Sequence, residues 1–260
     1  MVFIGERINA GFKDIKAAIE NKDGDPIKEW AVKQTTAGAT YLDVNMGTAS
    51  NKPEDLCWMI ECVQSAVETP ISIDNNKPTL IKEALPVCTK PPLINSFTAD
   101  EEQLDEMLPI IKKYDASFIG LAMDKEGSPT DANKRVENAG LIVGKLMEHE
   151  IDPDKLFLDP IIMPLKFKQE QATEIMQAAS QFRLFTDPPC HIVGGLSNVA
   201  NGTKHKKLIN RIFATMLVAN GLDAVICDVM DTELMDSILT AELVMNKTIY
   251  ADSYIEAFRR

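Results

Sequence analysis

The chain of 260 residues predicts one (β/α)8 barrel spanning residues 1–260, on three observations. Eight short apolar runs alternate with eight longer amphipathic segments, the arithmetic of eight strand–helix cycles in about 250 residues. Nearly every apolar run gives way to a carboxylate or an amide. No Ser/Gly linker or low-complexity stretch divides the chain, so a single domain is the simplest layout. A doubly wound open sheet shares the alternation, and counting alone does not exclude it. The polar strand exits are more informative, because together they describe one ring around one mouth.

The elements follow in order. The apolar start at residues 2–4 reads as the first strand, followed by Glu6 and Asn9. A helix over 26–37 stops at Ala37-Gly38, an expected glycine terminator. The second strand, 41–44, is followed by Asn45, and the helix over 53–67 carries Pro53, Glu54 and Asp55 in its first turn. The third strand, 71–73, exits at Asp74 into a helix over 78–87. The fourth, 93–94, exits at Asn95 and Ser96, and Thr98 precedes an acidic start to a helix over 101–114. The fifth strand, 118–122, has the least defined exit, Met123-Asp124, before a helix over 132–149. The sixth, 156–158, exits at Asp159 before a helix over 170–183. The seventh, 191–195, leads to Ser197 and Asn198 and a helix over 207–220 that stops at Asn220-Gly221. The eighth, 224–226, exits at Asp228 before a helix over 232–245. Any one of these Asp and Asn residues could be a helix N-cap. Capping alone is the weaker account of the whole ring.

Bulk composition narrows the function. Hydrophobic residues make up 45% and charged residues 25%, ordinary for a soluble protein with a sizeable core. Lys plus Arg is 27 against 39 for Asp plus Glu, a net charge of −12, which argues against nucleic acid as partner. No apolar run reaches the ~18–20 residues of a membrane span. The start, Met1 to Arg7, lacks the layout of a signal peptide, so a cytoplasmic protein is expected. The five cysteines are scattered, without C-x-x-C spacing, and there are only three histidines. Buried reduced thiols are the better reading, and no bound metal is expected.

The stretch from Val193 to Gly202 concentrates the chemistry. Two glycines, Gly194 and Gly195, let the chain bend and let a flat ligand approach the backbone. Ser197 and Asn198 then stand at a strand's carboxyl end, where such folds put their ligands. The bland alternative is a strand-to-helix turn with Asn198 as N-cap. Beyond it lies Lys204-His205-Lys206-Lys207, a solvated helix start or a site for a ligand's carboxylate tail. There is no P-loop, G-x-G-x-x-G turn or G-x-S-x-G elbow, and no lysine at a clean strand exit for Schiff-base chemistry. Paired carboxylates at a mouth suit glycoside hydrolysis. They also suit a flat heterocycle with adjacent N–H donors, such as a 2-aminopyrimidinone edge. Composition does not choose between sugar and heterocycle.

Six motifs do choose. Gly5-Glu6-Arg7-Ile8-Asn9, Leu42-Asp43-Val44-Asn45, Ile73-Asp74, Ile94-Asn95-Ser96, Leu158-Asp159-Pro160 and Gly195-Leu196-Ser197-Asn198-Val199 resemble the pterin-binding methyltransferases. The closest likeness is to the methyltetrahydrofolate:corrinoid/iron–sulfur protein methyltransferase group. Leu208-Ile209-Asn210-Arg211, Gly221-Leu222-Asp223-Ala224 and the tail around Asp252-Ser253 fit the same pattern. The resemblance implies a homodimeric, pterin-binding (β/α)8 barrel. Its reaction would move a methyl group between N5 of tetrahydrofolate and the cobalt of a cobamide on a separate corrinoid protein.

Carried over by position, Asp74, Asn95 and Asp159 fall on the pterin-ring contacts and Asn198 on the residue facing N5. Glu6, Asn9 and Ser197 join the substrate mouth, with Asn201 and Lys206 near the folate's outer face. The family pattern has glutamine where Asn201 stands and arginine where Lys206 stands. These departures lean toward transfer from a methylcorrinoid protein to tetrahydrofolate, in methylotrophic or demethylation metabolism. The alternative direction feeds a corrinoid/iron–sulfur protein in an acetyl-CoA pathway. Asn198 is expected to act on rate and the carboxylates on affinity, with activity surviving EDTA. The rivals are a dihydropteroate synthase and a non-catalytic pterin carrier.

Overall fold

In a computed structural model, residues 1–250 are described; the Asp252-Ser253 motif lies outside them. Eight parallel strands form one sheet in the order β7-β6-β5-β4-β3-β2-β1-β8. They are β1 (Val2–Asn9), β2 (Tyr41–Asn45), β3 (Ile71–Asp74), β4 (Leu93–Thr98), β5 (Ser117–Leu121), β6 (Leu156–Asp159), β7 (His191–Ile192) and β8 (Ala224–Cys227). The ring closes where Gly195 bridges Ile226, with the Ile226 amide donating to the Gly194 carbonyl at 3.0 Å. The open-sheet alternative is thereby removed.

Helices cover the outside: α1 (Lys13–Asn21), α2 (Asp25–Thr36), α3 (Pro53–Gln64), α4 (Pro78–Ala84), α5 (Glu101–Lys113), α6 (Ala132–Glu148), α7 (Gln171–Phe182), α8 (Lys206–Ala219) and α9 (Thr232–Val244). Several boundaries have the chemistry the sequence suggests. Pro53 and Pro78 open their helices, and Gly38 and Gly221 follow α2 and α8 with φ of 98° and 108°. The cap of α5 is Asp100, which accepts from the amides of Glu102 and Gln103, while Thr98 ends β4.

Four features differ from the sequence reading. Helix α1 was not anticipated; it is a short span between the polar exit of β1 and α2. The seventh strand is only His191–Ile192, because the chain turns into a 3₁₀ turn over Leu196–Asn198. Glu6, Asn9, Asn45, Asp74, Asn95 and Asp159 lie within their strands rather than after them, as the ladders run further than the apolar runs. The N-cap reading of Asn198 also falls, since α8 begins eight positions later, at Lys206.

Strand side chains alternate between two faces. One face packs under the helices in the main apolar core. The other fills the barrel with Ile4, Leu93, Ile119, Phe157, Val193 and Ala224. That interior plug is apolar over much of its depth, and its polar members lie toward the strand ends described next.

Candidate active site

The carboxyl ends of β2, β3 and β4 bring five polar side chains together: Asp43, Asn45, Ser72, Asp74 and Asn95. Parallel register sets Asp43 beside Ser72, and Asp74 beside Asn95. Asn45 donates its amide to Asp74, and its own Oδ1 accepts from the Gly47 amide at 2.6 Å. Asn95 donates to Asp43 Oδ1 at 3.2 Å, and Ser72 Oγ donates to the same oxygen at 2.6 Å. Asp74 and Asn95 line a cavity of about 370 Å³ with Asn45, Asn75, Ser96 and Leu121. Burial raises the Asp74 carboxyl, although its bonds from Asn45 and Asp43 pull the other way. This is an acceptor-rich wall, and among the described residues no cation is bonded to its acids.

Asp159 ends β6 and is 7% exposed. Its Oδ1 accepts from the Ile161 amide at 2.7 Å, and burial pushes its carboxyl up to about 6 despite that bond, a second one from Gly195 and the more distant Arg135 charge. Arg135, fully buried on α6, holds this strand end in place. It donates to the Pro160 carbonyl at 2.6 Å and to Gln171 Oε1 at 2.9 Å.

The remaining expected residues fall on the other side of the mouth. Glu6, Ser197 and Lys206 line a second cavity of about 330 Å³ with Arg7, Asp228 and Trp30. Ser197 Oγ donates to Glu6 at 2.6 Å; burial raises Glu6, and the Asp228 charge adds to it. Asn198 is exposed on the 3₁₀ turn, and Asn201 Nδ2 lies 3.5 Å from its Oδ1. Asn198, Asn201 and Asp159 line neither cavity. Asn9 spends its Oδ1 on the Gly11 amide at 2.8 Å, bracing its own turn. Gly194 makes room for packing rather than for a ligand: a Cβ there would stand 2.6 Å from Ile162 Cδ1. Asp124, the ill-defined fifth exit, is paired outward with Lys134 at 3.0 Å.

Sequence reasoning left Asp43 and Asn45 out of the substrate-binding residues, though both stand in the Leu42-Asp43-Val44-Asn45 motif. The signal was available: residues two apart on a strand share a face, so Asn45 at the mouth implies Asp43 below it. Arg135 gave no such signal, because a helix arginine reads as solvated until its buried acceptors are seen.

Comparisons with known proteins converge on one family. The family described as "Pterin binding enzyme" matches residues 5–228. A methylcorrinoid:tetrahydrofolate methyltransferase of Eubacterium limosum is 33% identical over 263 residues, covering 100% of this chain and 97% of that protein. A methionine synthase of Mycobacterium tuberculosis is 22% identical over 87% of this chain, which spans only 20% of that protein. Among solved structures, a Yersinia pestis dihydropteroate synthase with a pterine-sulfa conjugate superposes with a TM-score of 0.70 at 14% identity, covering 95% and 94% of the two chains. A Coxiella burnetii dihydropteroate synthase in complex with pteroic acid gives 0.69 at 15% identity, covering 94% and 92%. At such identities the structural likeness speaks for the fold.

Proposed function

This chain belongs to the pterin-binding enzyme family, and on that premise we propose that it is a methyltransferase acting between a methylcorrinoid protein and tetrahydrofolate. The observation that carries this reading is the 33% identity running the full length of the Eubacterium limosum enzyme. The dihydropteroate synthase alternative rests on fold likeness at 14–15% identity.

On this reading the residues divide the labour. Asp74, Asn95 and Asp159 accept and donate along the polar edge of the pterin ring. Their carboxylates bind reactant and product alike, so they set affinity. Asn198, exposed at the mouth, faces N5. Its amide oxygen accepts the N5–H of tetrahydrofolate, which aims the nitrogen lone pair outward at the incoming methyl group. The N5–C bond forms with that lone pair while the cobalt–carbon pair stays on the cobalt of the partner's cobamide. The N5 proton then leaves to water. Glu6 and Ser197 brace the turn that carries Asn198, and Asn201 and Lys206 meet the outer face of the folate.

Two further features belong to the same reading. Leu208, Ile212 and Met216 form an exposed apolar stripe at helical spacing on α8, which supports homodimer formation through that face. Five free thiols favour a reducing, cytoplasmic setting.

The test is to mix the protein anaerobically with methylcobalamin and tetrahydrofolate and to follow the cobalamin spectrum. The account expects protein-dependent conversion of methylcob(III)alamin to cob(I)alamin, with one 5-methyltetrahydrofolate formed per cobalt. A spectrum that changes no faster than without protein overturns it. Sedimentation at micromolar concentration checks the dimer; a monomer that stays a monomer removes it.

A further inference from the structure

The most deeply placed acid of the mouth lines neither cavity. Asp43 is 2% exposed, on the inward face of β2, and does not line the 370 Å³ cavity above it. Its Oδ1 accepts twice, from Ser72 at 2.6 Å and from Asn95 at 3.2 Å. Its carboxyl is also hydrogen bonded to that of Asp74. Two carboxyl groups in contact cannot both be bare; one must carry the proton that joins them.

The surroundings decide which one. Of the strands against β2, β3 brings only Asp74. β1 brings Glu6, which is bonded to Ser197, and Arg7, which is held by Asp14 at 2.7 Å. β4 reaches Asp43 through Asn95 and carries no titratable group. Among the described residues Asp43 therefore has no cation to stabilise a charge, and burial together with the neighbouring Asp74 charge raises its carboxyl well above the ordinary range. Asp74 has a second donor in Asn45 and an open side toward the cavity.

We propose that Asp43 is a protonated carboxylic acid that donates to Asp74 while its carbonyl oxygen holds Asn95, so that it positions both cavity residues without touching the ligand. Asp74 is thereby kept an acceptor on every lone pair, and the wall selects for N–H donors on whatever enters. Asn95, with its amide nitrogen engaged on Asp43, turns its own oxygen toward the same donors. The proposal rests on the reading that Asp74 and Asn95 meet the pterin edge, but the buried proton itself does not.

Asp43→Asn keeps one donor toward Asp74 and one acceptor for Ser72 and Asn95, and abolishes only the titration. Asp43→Ala removes both. Infrared spectra of the full chain at pH 8 should show the C=O stretch of a protonated carboxyl that vanishes in Asp43→Asn. Calorimetry should find tetrahydrofolate affinity within about threefold of wild type for Asp43→Asn, and at least about tenfold weaker for Asp43→Ala, the scale of a lost hydrogen bond to a charged group. Absence of that band in the wild type, or an Asp43→Asn protein that binds as poorly as Asp43→Ala, overturns the proposal. Should Asp43→Ala fail to fold, the band and the Asp43→Asn affinity still decide. A wild type that shows the band but binds no folate rejects the functional reading and leaves the buried proton standing.

Discussion

At the base of the barrel, Asp223 accepts from Arg183 at 2.9 Å, from the Ile192 amide at 2.8 Å, and lies 3.2 Å from His191 Nδ1. These partners outweigh burial and hold its carboxyl below the ordinary 3.8. At the mouth, Asp159 has two backbone amides and a more distant arginine, and burial pushes it up to about 6. The same side chain is therefore stabilised as an anion at one end and strained as an anion at the other. The base neutralises its charges and fixes the strands. The mouth gives its acids amide and hydroxyl donors but no close cation among the described residues, which suits the N–H-rich ligand proposed above.

The difference has a thermodynamic sign. Asp223 is depressed by folding, so its stabilisation is present above about 3.8 and lost as pH falls through its lower folded value. Asp159 is raised, so its ionisation opposes folding, a cost absent below 3.8 and complete above about 6. At about 1.4 kcal/mol per pH unit, that cost is roughly 3 kcal/mol at neutral pH.

The sharpest way to break the comparison is Asp159→Asn. It should weaken tetrahydrofolate binding by about 1.5–3 kcal/mol, read by titration calorimetry. The same change should raise the ligand-free urea midpoint at pH 8, because a buried charge has gone. Unaltered affinity removes Asp159 from the pocket. Next in size, Asn198→Ala should slow methyl transfer about tenfold or more in stopped flow while folate affinity moves less than about threefold. An unchanged rate ends its assigned role. At the base, Asp223→Asn should lower stability by roughly 1–3 kcal/mol and leave folate affinity alone. The smallest effect is the pH dependence of His191, which its bond to Asp223 raises above 6.5. Its contribution is complete below 6.5 and fades as pH rises through the folded value, a decline that His191→Gln should flatten in melts between pH 6 and 9.

The barrel was legible because alternation of short apolar runs with amphipathic segments survives any detail of packing. The ring of exits was legible too, since Asp and Asn interrupt apolar runs visibly. Depth was harder to read. Glu6 and Asp74 look alike in sequence, yet they line different cavities, because β1 and β3 lie apart in the ring with β2 between them. Asp43 was hidden for a related reason: an acid between Leu42 and Val44 looks like a defect in a strand until Ser72 and Asn95 are seen to satisfy it. Gly194 shows the converse error, a residue whose small size serves Ile162.

The most direct test is a crystal structure of the protein grown with tetrahydrofolate. The account predicts the pterin ring in the mouth, its amino and ring N–H groups on Asp74 and Asp159, and N5 within hydrogen-bond reach of Asn198. A ring seated on another face, or one turned with N5 away from Asn198, contradicts it.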